Sequence, residues 1–181
     1  MKTITNIKTK NYVFNHLIYD NSIDKHFAQH SHALCEMIYI LNGEVDYIIE
    51  DRRYRAKKHD FILIKPYTYH YFTIKSNADY EKIGILFDTD HLQIDPSIIR
   101  QHIELLDCKK YPIIDAIFHK LDFYYNNFSK EVFLELFFAL IKEIVFNLSL
   151  IDEQTTPPQY HTPILSPILE YINANLFTIN Q

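Results

Sequence analysis

Between residues 34 and 87 the chain breaks into apolar runs too short to be helices: 34–41, 45–49, 61–64, 69–74 and 83–87. Polar turns separate them, among them Asn42-Gly43-Glu44, Glu50-Asp51-Arg52-Arg53, Lys57-Lys58-His59-Asp60 and Lys75-Ser76-Asn77-Ala78-Asp79. A strand of four to eight residues buries one face with every second side chain, whereas a helix needs a longer stretch to present a stripe. Runs spaced roughly ten residues apart therefore predict an antiparallel sandwich or small barrel. Val45, Tyr47 and Ile49 alternate with Asp46 and Ile48, as a half-buried strand requires. With only two glycines in the chain, the turns are expected to rely on Asn, Asp or Lys.

The period changes after residue 94. Asp95-Pro96 reads as an N-cap with proline at the first helical position, followed by Ile98, Ile99, His102, Ile103, Leu105 and Leu106. Ile113, Ile114, Ile117, Phe118 and Leu121 form a helical stripe after Pro112. Ser129 then caps a helix over 130–149, whose apolar residues cover most of its circumference. Such a helix must be buried on more than one side. The sheet can cover one, and a second copy of the chain can cover another through Phe133, Phe137, Phe138, Ile141 and Ile144. Residues 151–165 form a polar, proline-bearing linker, and Ser166-Pro167 opens a further helix.

Bulk properties narrow the function. A net charge of -5 argues against a surface that grips nucleic acid by itself, because such a surface needs clustered Lys and Arg to displace counterions. The basic run Arg52-Arg53-Tyr54-Arg55 with Lys57-Lys58 reads as a solvated hairpin edge. Two cysteines, Cys35 and Cys108, are too few for a disulfide framework and lack metal spacing, and Cys35 reads as a small buried hydrophobe. The N-terminus lacks the apolar core of a secretory signal, and no uncharged apolar stretch reaches the roughly 18 residues of a membrane span. The expectation is a soluble, cytoplasmic protein without a membrane partner.

One segment carries chemistry. His30 and His32 open the run at 34–41, and Glu36 sits within it. On a strand, residues two apart share a face and lie about 6.6 Å apart, which suits two imidazoles converging on one ion. Glu36 has the same parity, but on a straight strand it falls about 13 Å beyond His32. A bulge or strong coiling is needed to bring it in. His70, after Pro66, can close the site from a neighbouring strand. Three histidines and a carboxylate suit Zn, Mn, Fe, Ni or Cu, and ligand type does not choose among these divalent transition metals. Tyr39 and Tyr47 can offer hydroxyls to the same pocket, or each can be an amphipathic core tyrosine. His16, His26, His91, His102, His119 and His161 lack paired spacing and read as surface or capping residues.

The spacing HxHxxxExxxxxxG, from His30, His32 and Glu36 to Gly43, resembles the first motif of the cupin superfamily. The stretch from His59 through Asp60, Phe61, Ile62, Leu63, Ile64, Lys65 and Pro66 to His70 is similar to the second. It departs from it in placing His59 where glycine is usual and in a proline-to-histidine spacing one residue shorter than in the enzymes. The shorter spacing, with the order of barrel, helices, proline linker and the segment from Ser166 to Phe177, resembles the sensor part of AraC-type transcription regulators. That resemblance implies a cupin-like antiparallel barrel over 25–94, preceded at 1–24 by an arm and first strand that folds over the opening. A helical packing and dimerisation region at 95–150 and the start of a helix-turn-helix module at 166–181 would follow.

The function implied is effector sensing by a homodimer, with no reaction catalysed. The effector would be a sugar or another metabolite contacting His30, His32, Glu36, Tyr39, Tyr47 and His70. DNA would be touched only through the helix-turn-helix module, whose base-reading helices the sequence does not contain. The alternative is a metal-dependent cupin enzyme, a dioxygenase or isomerase, holding its ion with His30, His32, Glu36 and His70.

Overall fold

The structure is a computed structural model and describes residues 1–20, 27–95, 99 and 104–151. Among the described residues nine strands precede the helical pair: β1 Lys2–Lys8, β2 Tyr12–Tyr19, β3 Cys35–Asn42, β4 Glu44–Ile49, β5 Arg52–Lys57, β6 Asp60–Ile64, β7 His70–Ile74, β8 Tyr80–Phe87 and β9 Leu105–Asp107. Two helices follow, α1 Pro112–Asn127 and α2 Lys130–Ser149. All pairings are antiparallel. A six-stranded sheet has the order β1-β2-β8-β3-β6-β9, and a three-stranded sheet has the order β5-β4-β7. This is the expected fold class, a cupin-like antiparallel β-barrel drawn out into two sheets, with a helical pair behind the larger one.

Strand alternation sends the two faces of the large sheet into different cores. Cys35, Met37 and Tyr39 of β3, Ile83, Ile85 and Phe87 of β8, and Tyr12 and Phe14 of β2 meet α1 and α2. Ile38 and Ile40 of β3, Tyr19 of β2 and Tyr80 of β8 turn the other way and pack against Val45, Tyr47, Ile49, Phe72 and Ile74 of the small sheet. The large sheet is therefore apolar on both faces, which is why β3 reads as a nearly continuous apolar run. Glu36 and Lys82 interrupt that rule on the inter-sheet side.

The helices follow their sequence signals. Pro112 occupies the first turn of α1, where its missing N–H leaves no donor unpaired. The Ser129 hydroxyl accepts from the Val132 amide and caps α2, an interaction worth about 1 kcal/mol. Phe133, Phe137, Ile141 and Ile144 are buried within the single chain, against β2 and α1. Rings of Phe133 and Phe137 lie 5.3 and 5.8 Å from that of Phe14. The expectation that these four form a dimer face is corrected: the sheet and α1 together cover the part of α2 assigned to a partner. Phe138 is partly buried against Tyr12, at 5.2 Å between rings.

Two further expectations change. Residues 2–8 run as the outer strand of the large sheet, paired to β2, and do not line the pocket between the sheets. Left-handed positions fall to Glu50, His59, Tyr67 and Gln93, together with Gly43, rather than to Asn, Asp or Lys. The basic run at 52–57 is, as expected, a solvated hairpin edge: β5 borders the small sheet, with Tyr54 and Ala56 turned inward and the charges outward. The helix expected after Asp95-Pro96, the linker and the segment at 166–181 lie outside the described residues. No helix among the described residues is long and apolar enough to cross a membrane.

Candidate functional site

Between the two sheets lies a cavity of about 360 Å³, lined by Asn15, Leu17 and Tyr19 of β2, Glu36 of β3, Tyr47 of β4, His70 and Phe72 of β7, Lys82 of β8, and Phe27, Ala28 and His30 before β3. Its size falls in the range of small-molecule pockets. The rings of Tyr19, Phe27, Phe72 and Tyr80 pack on one another, with Phe27 stacked 4.0 Å from Phe72.

His30 and His70 face each other as a backbone pair, each amide donating to the other's carbonyl at 2.9–3.0 Å. Their ring centres are 4.3 Å apart. His32 and Glu36 reach the same place by a different route from the one expected. β3 begins only at Cys35, and residues 33–34 bend. The bend shortens the four-residue step, so that Glu36 Oε2 lies 3.1 Å from His32 Nε2 and 3.2 Å from His70 Nε2. The needed departure from a straight strand is this bend, and it brings Glu36 against two of the three proposed histidine ligands, His32 and His70.

The protonation pattern of the rings is set by the backbone. His30 Nδ1 faces the Ala28 carbonyl at 3.1 Å, His32 Nδ1 the Leu34 carbonyl at 2.8 Å, and His70 Nδ1 the Thr68 carbonyl at 2.9 Å. A carbonyl only accepts, so each Nδ1 carries a proton; His32 Nε2 donates to the Glu36 carboxylate as well, and its lone pair becomes free for an ion only when that proton leaves. One ring nitrogen from each of the three lies within 4.8 Å of the other two. His70 Nε2 is buried, and although Glu36 is close, no aligned hydrogen-bond partner serves it among the described residues. Backbone-tethered Nδ1–H groups with converging Nε2 atoms are the arrangement that orients histidines toward a metal, so the residues fit a divalent transition ion.

Burial by itself would raise the pKa of Glu36, which is 8% exposed. The His32 hydrogen bond, the neighbouring His70 and the charge of Lys82 outweigh it and hold the carboxyl well below its usual range. In return the Glu36 hydrogen bond raises His32, against the opposing effect of its own burial. Desolvation, with Glu36 nearby, pushes the Tyr19 hydroxyl up to about 12. Tyr47 and Tyr80 are raised for the same first reason, and their hydroxyls lie 3.0 Å apart. All three remain neutral hydroxyls, Tyr19 and Tyr47 in the pocket wall and Tyr80 behind it.

Of the six effector contacts expected, His30, Glu36, Tyr47 and His70 line the cavity, with His32 beside it. Tyr39 does not. It shares the parity of Cys35, points away from the cavity, stacks 4.8 Å from Phe118 and hydrogen-bonds Asp115 of α1. Two residues went unrecognised. Lys82 sits in the pocket, 6% exposed; the signal was its shared parity with Tyr80 and Gly84, opposite to Ile83 and Ile85. His16, expected at the surface, is buried between β8 and α1, with Glu81 on one ring nitrogen and Asp122 on the other. His91 and His119 are exposed as expected, and His26, His102 and His161 lie outside the described residues.

No curated protein sequence matches the chain. Among solved structures, a cupin superfamily protein from Desulfitobacterium hafniense aligns at 11% identity and a TM-score of 0.42, covering 52% of this chain and 77% of that one. The cupin domain of Cnp3 from Schizosaccharomyces pombe aligns at 9% and 0.42, covering 52% and 70%. An RmlC-like cupin from Shewanella frigidimarina aligns at 13% and 0.38, covering 42% and 66%. The sequence model of the AraC-like ligand binding domain matches residues 16–136, which run from within β2 through the first turns of α2 and take in every lining residue of the pocket except Asn15. The chain belongs to the AraC-like ligand-binding domain family.

Proposed function

We propose that the chain is the effector-sensing part of an AraC-type transcription regulator, and that a small metabolite binds between its two sheets. The observation that carries this reading is the aromatic-walled cavity in which His30, Glu36, Tyr47, His70 and Lys82 converge. A ligand there touches both sheets, and β2 and β8 carry the packing surface of α1 and α2 on their other face. Occupancy can therefore bias the helices, provided the ligand prefers one arrangement over the other. DNA contact would belong to a helix-turn-helix module, and a homodimer would match two half-sites. With Phe133, Phe137, Ile141 and Ile144 buried in the chain, the exposed Val132, Phe146 and Leu150 of the α2 region are the apolar residues left for a dimer contact.

The test is a thermal-shift screen of sugars, organic acids and other metabolites, because a ligand that prefers the folded state raises its melting temperature. The expected result is stabilisation by one chemical class that is lost in Leu17→Trp, which fills the cavity from its half-exposed wall. Stabilisation that persists in Leu17→Trp would place the ligand elsewhere and defeat the reading.

A metal-bound pocket, with or without catalysis, is the second reading, favoured by the converging Nε2 atoms. His30, His32, His70 and Glu36 would hold the ion. Such an ion supplies a Lewis acid and coordination positions open to the pocket. The chain's own part is to fix the rings through the Ala28, Leu34 and Thr68 carbonyls and to surround the site with aromatic side chains.

A further inference from the structure

Lys82 is out of place. It stands in the middle of β8, paired to Leu17 on one side and Ile40 on the other. Its side chain faces the cavity rather than solvent. Among the described residues, no carboxylate oxygen comes within 4 Å of its Nζ, and its hydrogen bond is to the Tyr47 hydroxyl at 3.3 Å. The Phe72 ring lies 4.9 Å from Nζ and that of Tyr47 5.9 Å, so the ammonium rests on π-faces. Glu36 does not neutralise it by contact, because that carboxylate is engaged by His32 and approached by His70.

A buried cation without a paired anion is costly. The faces of Phe72 and Tyr47 and one hydroxyl return only part of what hydration gave it. The geometry points to the missing partner: we propose that Lys82 anchors the carboxylate of the effector, so that the pocket selects small organic acids over neutral sugars. The inference rests on the effector-pocket reading above and narrows it to a ligand class. The acid's carboxylate meets Nζ and its apolar or aromatic body lies along Tyr19, Phe27 and Phe72. The Asn15 amide borders the same space, with Oδ1 buried and unpartnered among the described residues, where a hydroxyl on the ligand body can donate. A neutral polyol can serve Asn15 and the tyrosines but leaves the ammonium uncompensated, and that difference sets the selectivity.

The test uses matched pairs on the whole chain: benzoate against benzamide and hexanoate against hexanamide, with L-arabinose and D-glucose as neutral polyols. Binding is read by calorimetry and thermal shift. At least one acid is expected to bind at least tenfold more tightly than its amide, and Lys82→Met is expected to remove that advantage. Methionine keeps the length of the side chain without the charge, so the cost of burying an ammonium without a paired anion is removed with it. The acid-to-amide comparison on the unaltered protein stands even if the variant misfolds. Equal binding of acid and amide, or acid binding unchanged in Lys82→Met, overturns the anchor. Should a sugar bind both proteins equally while no acid does, the anchor falls and the effector pocket stands. Binding by no member of the panel overturns both.

Discussion

His16 Nδ1 lies 2.9 Å from Asp122 Oδ1 across the seam between the large sheet and α1. The other ring nitrogen, Nε2, is 2.7 Å from Glu81 Oε1 on β8. A neutral imidazole has one N–H, so two carboxylates facing both nitrogens favour the imidazolium. Burial acts against that charge, but the two carboxylates prevail and raise the His16 pKa above its ordinary 6.5. Because β2 turns Asn15 and Leu17 into the cavity and His16 toward α1, this pair ties a strand of the pocket wall to the helices.

The tie should be visible in the pH dependence of stability. A group whose pKa rises on folding adds stability below its unfolded value and loses it as pH climbs through the folded one. His16→Gln should therefore melt below the unaltered protein by its widest margin under pH 6.5, and the gap should narrow at alkaline pH. Melting curves from pH 5.5 to 9 measure it. A gap of constant size would show that the charge contributes nothing.

The burial of α2 sets a second expectation. Phe137 is fully enclosed by Tyr12, Phe14 and Phe133. Phe137→Ala should cost about 3 to 5 kcal/mol, and Phe137→Asp should leave no cooperative unfolding transition. Phe146 is 61% exposed on the same helix, so Phe146→Asp should leave melting nearly unchanged. If that face joins two copies, the variant should run as a monomer in light scattering where the unaltered chain runs as a dimer. A dimer that survives Phe146→Asp would move the contact off this face.

These two cases show what the sequence could carry. β3, β4, β6, β7 and β8 were legible because apolar alternation between polar turns is a local signal. β2 was hidden because Asn15 and His16 break its alternation, and both do so for reasons the fold supplies: a cavity on one side and Asp122 on the other. The apolar girth of α2 was legible, but which neighbours cover it is a tertiary fact. For the site, the residue types and spacing named the four converging groups, while the bend after His32 that joins them was not in the pattern. His59 occupies a left-handed position with φ +73°. That explains the glycine usual there, and its contact with Asp115 shows what the side chain gains instead.

The converging histidines predict metal uptake. Protein purified without chelator should contain a transition ion at close to one per chain by elemental analysis. His70→Ala should abolish it, since that residue brings a buried, unserved Nε2. His30 is exposed, and His30→Ala should weaken binding while leaving the fold intact. Chelation should lower the melting temperature of the unaltered protein and leave that of His70→Ala unchanged. Metal-free protein that takes up no added zinc, manganese, iron, nickel or copper would end this reading and leave the organic pocket in place.

Gly84 gives the last prediction. It pairs with Asn15 across β2 and β8, and a Cβ built on it would lie 2.6 Å from Asn15 Oδ1. Glycine is needed here for space, since its backbone is ordinary strand, whereas Gly43 is needed for its positive φ. The methyl of Gly84→Ala must push the Asn15 amide toward the cavity. Overpacking of this kind costs about 1 to 3 kcal/mol, and the displaced amide takes volume from the pocket where Lys82 and Tyr47 meet. Gly84→Ala should therefore lower the melting temperature modestly and weaken any ligand held between the sheets. Asn15→Ala in the same background should restore most of the stability by removing the clash, and double-mutant melting curves measure that coupling. Stability losses that simply add would mean that the two side chains do not compete for one space.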